Sequence, residues 1–246
     1  WIYSCEWDEK LPKLNELREK VKKMGLWLPQ ISTDYGGIGL SLQEHGEISE
    51  ILGGSPYGFY VFNCQAPDAG NMEILIEVGT SQQKKDYLTP LLEGKTRSCF
   101  AMTEPGYAGS NPTRMGTIAK KENGNYIING HKWFTSSFDG ADFAIVMVVT
   151  DPDEANPYKR ASQIIVPTKT EGVEFVRNVS IMGHPGGGWE SHAEIKFNNV
   201  IVPESNLLGS EGDGFAIAQK RLGPGRIHHC MRFSDIKTQE GNIRNN

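Results

Sequence analysis

The sequence predicts an α+β chain of more than one domain, in the order helical, β, helical. Two observations carry this. Apolar residues recur at helical spacing up to about residue 95, and at every second position from about Cys99 onward. Strands and helices do not alternate along the chain, so a doubly wound parallel sheet has no support. The expected divisions are residues 1–98, 99–209 and 210–246. A chain of 246 residues can hold one large domain or two ordinary ones and needs no disulfide staples.

Each element has its own signal. Leu11, Leu14, Leu17, Val21 and Met24 form the buried stripe of a first helix, which stops at Gly25 as a glycine C′ position would have it. Residues 34–39 form a loop. Ser41 and Glu44 form a capping box, each side chain satisfying an orphan N–H of the first turn. The helix they open buries Ile48, Ile51 and Leu52 and ends at Gly53-Gly54-Ser55-Pro56. Another helix spans about Asp68 to Val78, and Thr80 with Gln83 caps one more, carrying Tyr87, Leu88, Leu91 and Leu92. In the β part, Ile118, Tyr126, Ile128 and residues 131–134 alternate about the turn at 122–125, which reads as a hairpin. Phe143 to Val149 is almost continuously apolar, the mark of a strand buried on both faces. Short strands follow at Gln163–Val166 and Val173–Val176, the run Gly186-Gly187-Gly188 reads as a loose connection, and Ala193–Phe197 alternates before 198–203 leads out of the sheet. Asp213 then caps a helix carrying Phe215, Ile217, Ala218 and Leu222, with an interruption at Gly223-Pro224-Gly225.

Composition excludes several classes. The net charge of −5 and the absence of a basic cluster argue against nucleic-acid binding. No run approaches the roughly 18 apolar residues of a membrane span, and the first nine residues are too acidic for a targeting peptide. Cys5, Cys64, Cys99 and Cys230 form no CxxC pair, so reduced thiols and an intracellular setting are expected. Mitochondrion, peroxisome and bacterial cytoplasm fit equally. No P-loop, dinucleotide fingerprint or nucleophile elbow is present. His228, His229 and Cys230 are adjacent and point in different directions on a helix, so no metal site is expected. The chain opens at Trp1 and closes on a polar run, and both ends read as those of a fragment.

The informative segment is Phe100-Ala101-Met102-Thr103-Glu104-Pro105-Gly106-Tyr107-Ala108-Gly109-Ser110-Asn111, at the change from helical to β pattern. A crossing rich in glycine and hydroxyls suits a flat cofactor with a polar edge, or serves simply as a linker. The run resembles the first signature of the acyl-CoA dehydrogenases. Asn129-Gly130-His131-Lys132-Trp133-Phe134-Thr135-Ser136 is similar to the family's Asn-Gly-x-Lys-x-Trp-Ile-Thr segment. Residues 197–215, through Asn206-Leu207-Leu208-Gly209, resemble its exit from the β domain. The run Arg221-Leu222-Gly223-Pro224-Gly225-Arg226-Ile227-His228-His229-Cys230-Met231-Arg232 resembles one branch, which includes vertebrate members fused to an aminoglycoside-phosphotransferase-like domain and many bacterial relatives.

The resemblance implies an N-terminal helical domain, a middle β-barrel or sandwich, and the start of a C-terminal helical bundle that diverges after about residue 232. It implies FAD as cofactor and α,β-dehydrogenation of a fatty acyl-CoA, a step of lipid metabolism and fatty acid β-oxidation. A carboxylate takes the α-proton and the β-hydrogen leaves as hydride to flavin N5. Electron-transfer flavoprotein is the implied acceptor and a homodimer or homotetramer the implied full-length assembly. Carried over by position, Phe100, Met102 and Thr103 border the flavin, and Phe134 replaces the tryptophan that packs on its ring. Thr135 lies beside it, and Ser136 replaces the threonine that approaches N5. Gly109 and Ser110 lie by the cofactor or the substrate's pantetheine, and Arg226 reaches the CoA part of the ligand. Asn111 stands where the family has Asp. The family's base lies in the C-terminal bundle, so no acidic residue here is assigned to that role and the chain alone is expected to be inactive. The alternatives are a flavin monooxygenase of the same fold, against which Arg226 argues, and a truncated protein that binds acyl-CoA or flavin without catalysis.

Overall fold

The computed structural model describes residues 5–223, 225, 226, 230 and 231. The chain divides into two compact units, residues 1–73 with 220–246, and residues 74–219.

The first unit is helical. Helix α1 (Trp7–Lys23) is followed by α2 (Leu42–Gly53), α3 (Gly58–Val61) and the start of α4 (Asp68–Val78). Helix α1 stops where expected: Met24 is its C-cap and Gly25 follows at φ 71°. Its buried stripe is Trp7, Lys10, Leu14, Arg18 and Val21, so two cations belong to it, while the expected Met24 is exposed. Arg18 is tolerated inside because its guanidinium lies against the Trp27 and Tyr60 rings, at 4.8 and 4.6 Å from their centroids. It also donates to Tyr60 O at 2.8 Å and Asn63 Oδ1 at 3.2 Å. Ser41 and Glu44 close the expected capping box on α2. That helix buries His45, Ser49 and Leu52, whereas Ile51, expected inside, faces solvent.

The second unit is built on strands. Thr80 and Gln83 form a second capping box on α5 (Ser81–Gln83). The chain then passes through a π turn at Lys84–Leu88 into α6 (Thr89–Leu92). Eight strands follow: β1 (Ser98–Ala101), β2 (Ile118–Glu122), β3 (Asn125–Ser136), β4 (Phe143–Val149), β5 (Ala161–Pro167), β6 (Val173–Asn178), β7 (His192–Pro203) and β8 (Leu207–Leu208). They form one sheet in the order β6-β7-β3-β2-β4-β5-β8, with β1 parallel to β4. The hairpin between β2 and β3 turns at Asn123 and Gly124, both at positive φ, as a two-residue turn of matching twist requires. All seven residues of β4 are buried. Residues of the neighbours β7 and β3 and of the neighbours β4 and β5 share one apolar cluster that includes Tyr126, Ile128, Val146, Ile164 and Phe197.

Three expectations are corrected here. Residues 198–203 do not leave the sheet: β7 runs on to Pro203, paired with β3 back to Asn125. The triple glycine is tied down. Gly188 is buried, donates to Asp139 Oδ2 at 3.0 Å and accepts from Ser191 Oγ at 2.7 Å, while Gly186 O accepts from Asn178. Gly223 and Gly225 are both helical, so the expected interruption is not seen on either side of Pro224, which lies outside the described residues. His228, His229 and Arg232 also lie outside them. The four cysteines form no disulfide with one another. Among the described residues no helix is long and apolar enough to cross a membrane, and no three metal-ligating side chains cluster.

Candidate functional site

Two segments of the second unit hold most of the predicted site residues. One follows β1, and the other is the end of β3. They are joined by a two-way exchange: Trp133 N–H donates to Thr103 O at 3.0 Å, and Thr103 Oγ1 donates to Trp133 O at 2.8 Å.

Beneath this exchange lies a buried ion pair. Lys132 is fully buried, and its Nζ donates to Met102 O and to Glu104 Oε1, both at 2.8 Å. Glu104 also accepts from Gly116 N at 2.6 Å and Thr117 N at 2.9 Å. The sequence folds this way because Gly130 lacks a side chain: a Cβ there would stand 2.6 Å from Thr117 Cα. That close approach holds the 116–117 backbone beside β3, within reach of Glu104. Burial draws the Lys132 ammonium down to about 8, despite the opposing pull of Glu104. Burial pushes the Glu104 carboxyl up, but the Lys132 charge and the hydrogen bonds outweigh it and hold the group below the usual carboxylate range. The pair clamps the 102–104 loop to β3 and to the segment entering β2.

Above the clamp β3 is irregular. Lys132 pairs with Ile195 and Thr135 with Ala193, so Trp133 and Phe134 together oppose Glu194 in a bulge. Phe134 sits at φ 49° and Ser137 at φ 65°. A bulky side chain in left-handed backbone is strained by about 1–2 kcal/mol. The bulge turns Phe134 outward, 41% exposed, and its ring and that of Trp133 form an edge-type pair with centroids 4.9 Å apart. Ser136 pairs across the ladder with His192, and Ser136 Oγ lies 2.8 Å from His192 Nδ1. Thr135 is buried, and its hydroxyl has no partner among the described residues.

Phe100 and Met102 are half-buried beside Met115, packed on Met147, Ala161 and Ala218. Gly109 and Ser110 lie in an exposed turn, and a Cβ at Gly109 would meet Thr103 Cγ2 at an ordinary 3.5 Å. The N–H groups of Thr103, Gly109 and Ser110 have no partner among the described residues. Asn111 accepts from the Thr113 N–H and hydroxyl and shapes this turn.

The family models for the acyl-CoA dehydrogenase N-terminal and middle domains match residues 3–95 and 99–200. The chain belongs to the acyl-CoA dehydrogenase family. It is 46% identical over 232 residues to mouse acyl-CoA dehydrogenase family member 10, covering 90% of this chain and 21% of that protein. A solved structure of a Mycobacterium abscessus protein named as an acyl-CoA dehydrogenase superposes with a TM-score of 0.84 at 41% identity, covering 90% of this chain and 54% of that one. A structure named for the electron transferring flavoprotein of Acidaminococcus fermentans matches with a TM-score of 0.73 at 29% identity, over 89% of this chain and 56% of that one. The chain thus spans between about a fifth and about half of these relatives.

The remaining predicted residue, Arg226, belongs to the first unit. It is exposed and helical, and lines a cavity of about 110 Å³ with Ala69, Gly70, Glu73 and Arg221. Arg221 crosses the bare backbone at Gly70, where a Cβ would stand 2.9 Å from its Cγ, and donates to Asn71 Oδ1 at 3.0 Å and Pro67 O at 3.2 Å. Glu73 was not foreseen. Burial lifts its carboxyl from 4.5 to about 7, against the pull of Arg221.

Glu73 makes the stability of the fold depend on pH. Its folded pKa lies above its unfolded value, so the folded state holds the extra proton, and stability falls as pH rises from about 4.5 to about 7. At 1.36 kcal/mol per unit the bound is about 3 kcal/mol, and solvent at the cavity mouth reduces it to about 2. Urea unfolding of Glu73→Gln is expected to lack that fall and to exceed wild type at pH 7.5. Parallel pH profiles for the two proteins would show the assignment to be wrong.

Proposed function

We propose that this chain binds FAD and serves the α,β-dehydrogenation of a fatty acyl-CoA. The observation that carries the reading is the convergence of Phe134, Ser136 and the Thr103 loop on one clamped scaffold. These residues fit a flavin. An aromatic ring held outward at a strained φ offers a stacking face. The unpartnered N–H groups at Thr103, Gly109 and Ser110, with the orphaned Thr135 hydroxyl, offer polar atoms for a ring edge and a phosphate. Phe100 and Met102 offer an apolar border.

When bound, the flavin supplies the acceptor for the substrate's β-hydrogen as hydride. Under this reading Thr103 meets the pyrimidine edge, Phe134 covers a ring face and Ser136 stands by N5. Gly109 and Ser110 take the cofactor or the pantetheine, and Arg226 takes the CoA part, its planar fork suited to phosphate. No residue of this chain is assigned as the base. Electron-transfer flavoprotein is the proposed acceptor, a homodimer or homotetramer the proposed full-length assembly, and the cell interior the proposed setting.

The test is direct. The purified chain is mixed with FAD, freed of excess, and its visible spectrum recorded before and after anaerobic addition of an acyl-CoA. Uptake of FAD with a perturbed flavin spectrum and no bleaching is expected. Failure to retain FAD would overturn the flavin reading, and sustained turnover would overturn the absence of a base.

A further inference from the structure

Ser136 and His192 form a cross-strand pair whose geometry restricts what the serine can do. Oγ and Nδ1 are 2.8 Å apart, on partnered positions of β3 and β7. Both residues are half-buried. Burial lowers the His192 pKa, so the ring is neutral at neutral pH and carries one N–H and one lone pair. The serine hydroxyl has one hydrogen to give. Ser136 Oγ has no partner among the described residues other than His192.

Two arrangements satisfy the 2.8 Å contact. If Nδ1–H donated to Ser136, the hydroxyl hydrogen would have no acceptor among the described residues. If Ser136 donates to Nδ1, that hydrogen is used and only Nε2–H remains, on the opposite side of a half-exposed ring, where water can accept it. The second is the arrangement in which the serine's hydrogen is held within the pair and only Nε2–H is left to solvent.

We infer that His192 takes up the Ser136 hydroxyl hydrogen, so that Ser136 Oγ presents only lone pairs to a bound flavin and favours the reduced ring. The inference rests on the placement of Ser136 by flavin N5 proposed above. Reduced flavin carries a hydrogen at N5 that can be donated to Oγ, whereas N5 of the oxidised ring is an acceptor and gains nothing from a lone pair. His192 is then a positioning residue: it acts on the cofactor through Ser136 alone. Nothing in the motifs around Phe100 and Asn129 points to it, because it lies 56 residues away on another strand.

The test measures the reduction equilibrium of bound FAD by dithionite titration against reference dyes. It compares wild type with Ser136→Ala, His192→Phe, His192→Gln and the Ser136→Ala/His192→Phe double variant. Ser136→Ala removes the acceptor. His192→Phe frees the hydroxyl hydrogen to turn toward the oxidised ring. Each is expected to shift the equilibrium about tenfold toward oxidised flavin, about 30 mV for a two-electron couple. The double variant should shift no further than the larger single change, because both remove one interaction. His192→Gln, whose Oε1 can accept the same hydrogen, should restore most of the wild-type value, and it retains a hydrogen-bonding partner should His192→Phe fold poorly. An unchanged equilibrium in both His192 variants, a shift toward reduced flavin, or additive effects would each overturn the inference with flavin binding intact. A wild-type chain that takes up no FAD would instead overturn the underlying flavin reading.

Discussion

Lys132→Met is expected to lower the stability of the strand-built unit by about 3–5 kcal/mol, the usual cost of removing one partner from a buried ion pair. The cost arises from what is left behind. Glu104 is only 4% exposed, and without Lys132 its carboxylate keeps two N–H donors and no cation. Met102 O loses its donor as well. Glu104→Gln leaves the opposite defect, an ammonium group buried without its carboxylate, and is expected to cost a similar amount. The double variant removes both charges, and the single Gln oxygen still accepts from one of the Gly116 and Thr117 N–H groups. It should cost clearly less than the two single changes combined, a coupling of more than about 1 kcal/mol in a double-mutant cycle. Urea unfolding of the four proteins measures all of this. A single variant within about 1 kcal/mol of wild type would show that the pair does not hold the loop.

That pair also shows how far residues can be read without coordinates. Its members stand 28 positions apart, and neither looks unusual in a chain with 22% charged residues. A signal was present all the same. Tyr126 and Ile128 mark the inward phase of β3, and Lys132 falls on that phase two steps later. A charged residue on the buried side of an alternating strand needs a partner, and that requirement points to Glu104 or another acid. Helix α1 teaches the same lesson. Lys10 and Arg18 sit on the stripe that Trp7, Leu14 and Val21 define, and a reading that counts only apolar residues passes over both. Local chemistry was legible where it is short in range. Both capping boxes, the Asn123-Gly124 turn, the Gly25 stop and the fully buried β4 follow from neighbours within a few positions. What was not legible depends on pairing across the fold: the length of β7 and the anchoring of Gly186 to Gly188. The family motifs grouped the residues proposed for the flavin site. Of the supports, Lys132 is marked by its phase on β3, whereas its pairing with Glu104 and the place of His192 depend on contacts across the fold.

The bulge at Phe134 gives the second large effect, a loss of flavin without a loss of fold. Phe134→Gly is expected to weaken FAD binding by about ten- to hundredfold, the contribution of roughly 1–3 kcal/mol typical of a ring stacked on an aromatic side chain. Its effect on stability is a near-cancellation. Glycine adopts φ 49° freely and relieves about 1–2 kcal/mol of strain. Against this stand about 0.5–1 kcal/mol of added backbone entropy in the unfolded chain and a similar loss of the edge contact with Trp133. The net change should lie within about 0.5 kcal/mol. Phe134→Ala separates the terms, because alanine keeps the strained φ and loses the contact. It should bind FAD as poorly as the glycine variant and be about 1 kcal/mol less stable than it. Thermal unfolding without FAD, with fluorescence titration of FAD, resolves the two quantities. If Phe134 were an ordinary packing residue, Phe134→Gly would be strongly destabilised and FAD affinity would change only through unfolding. A strained, exposed aromatic that contributes little to the fold and much to the ligand is what a binding surface built on a bulge requires, and the comparison of glycine with alanine measures both halves of that statement in one series.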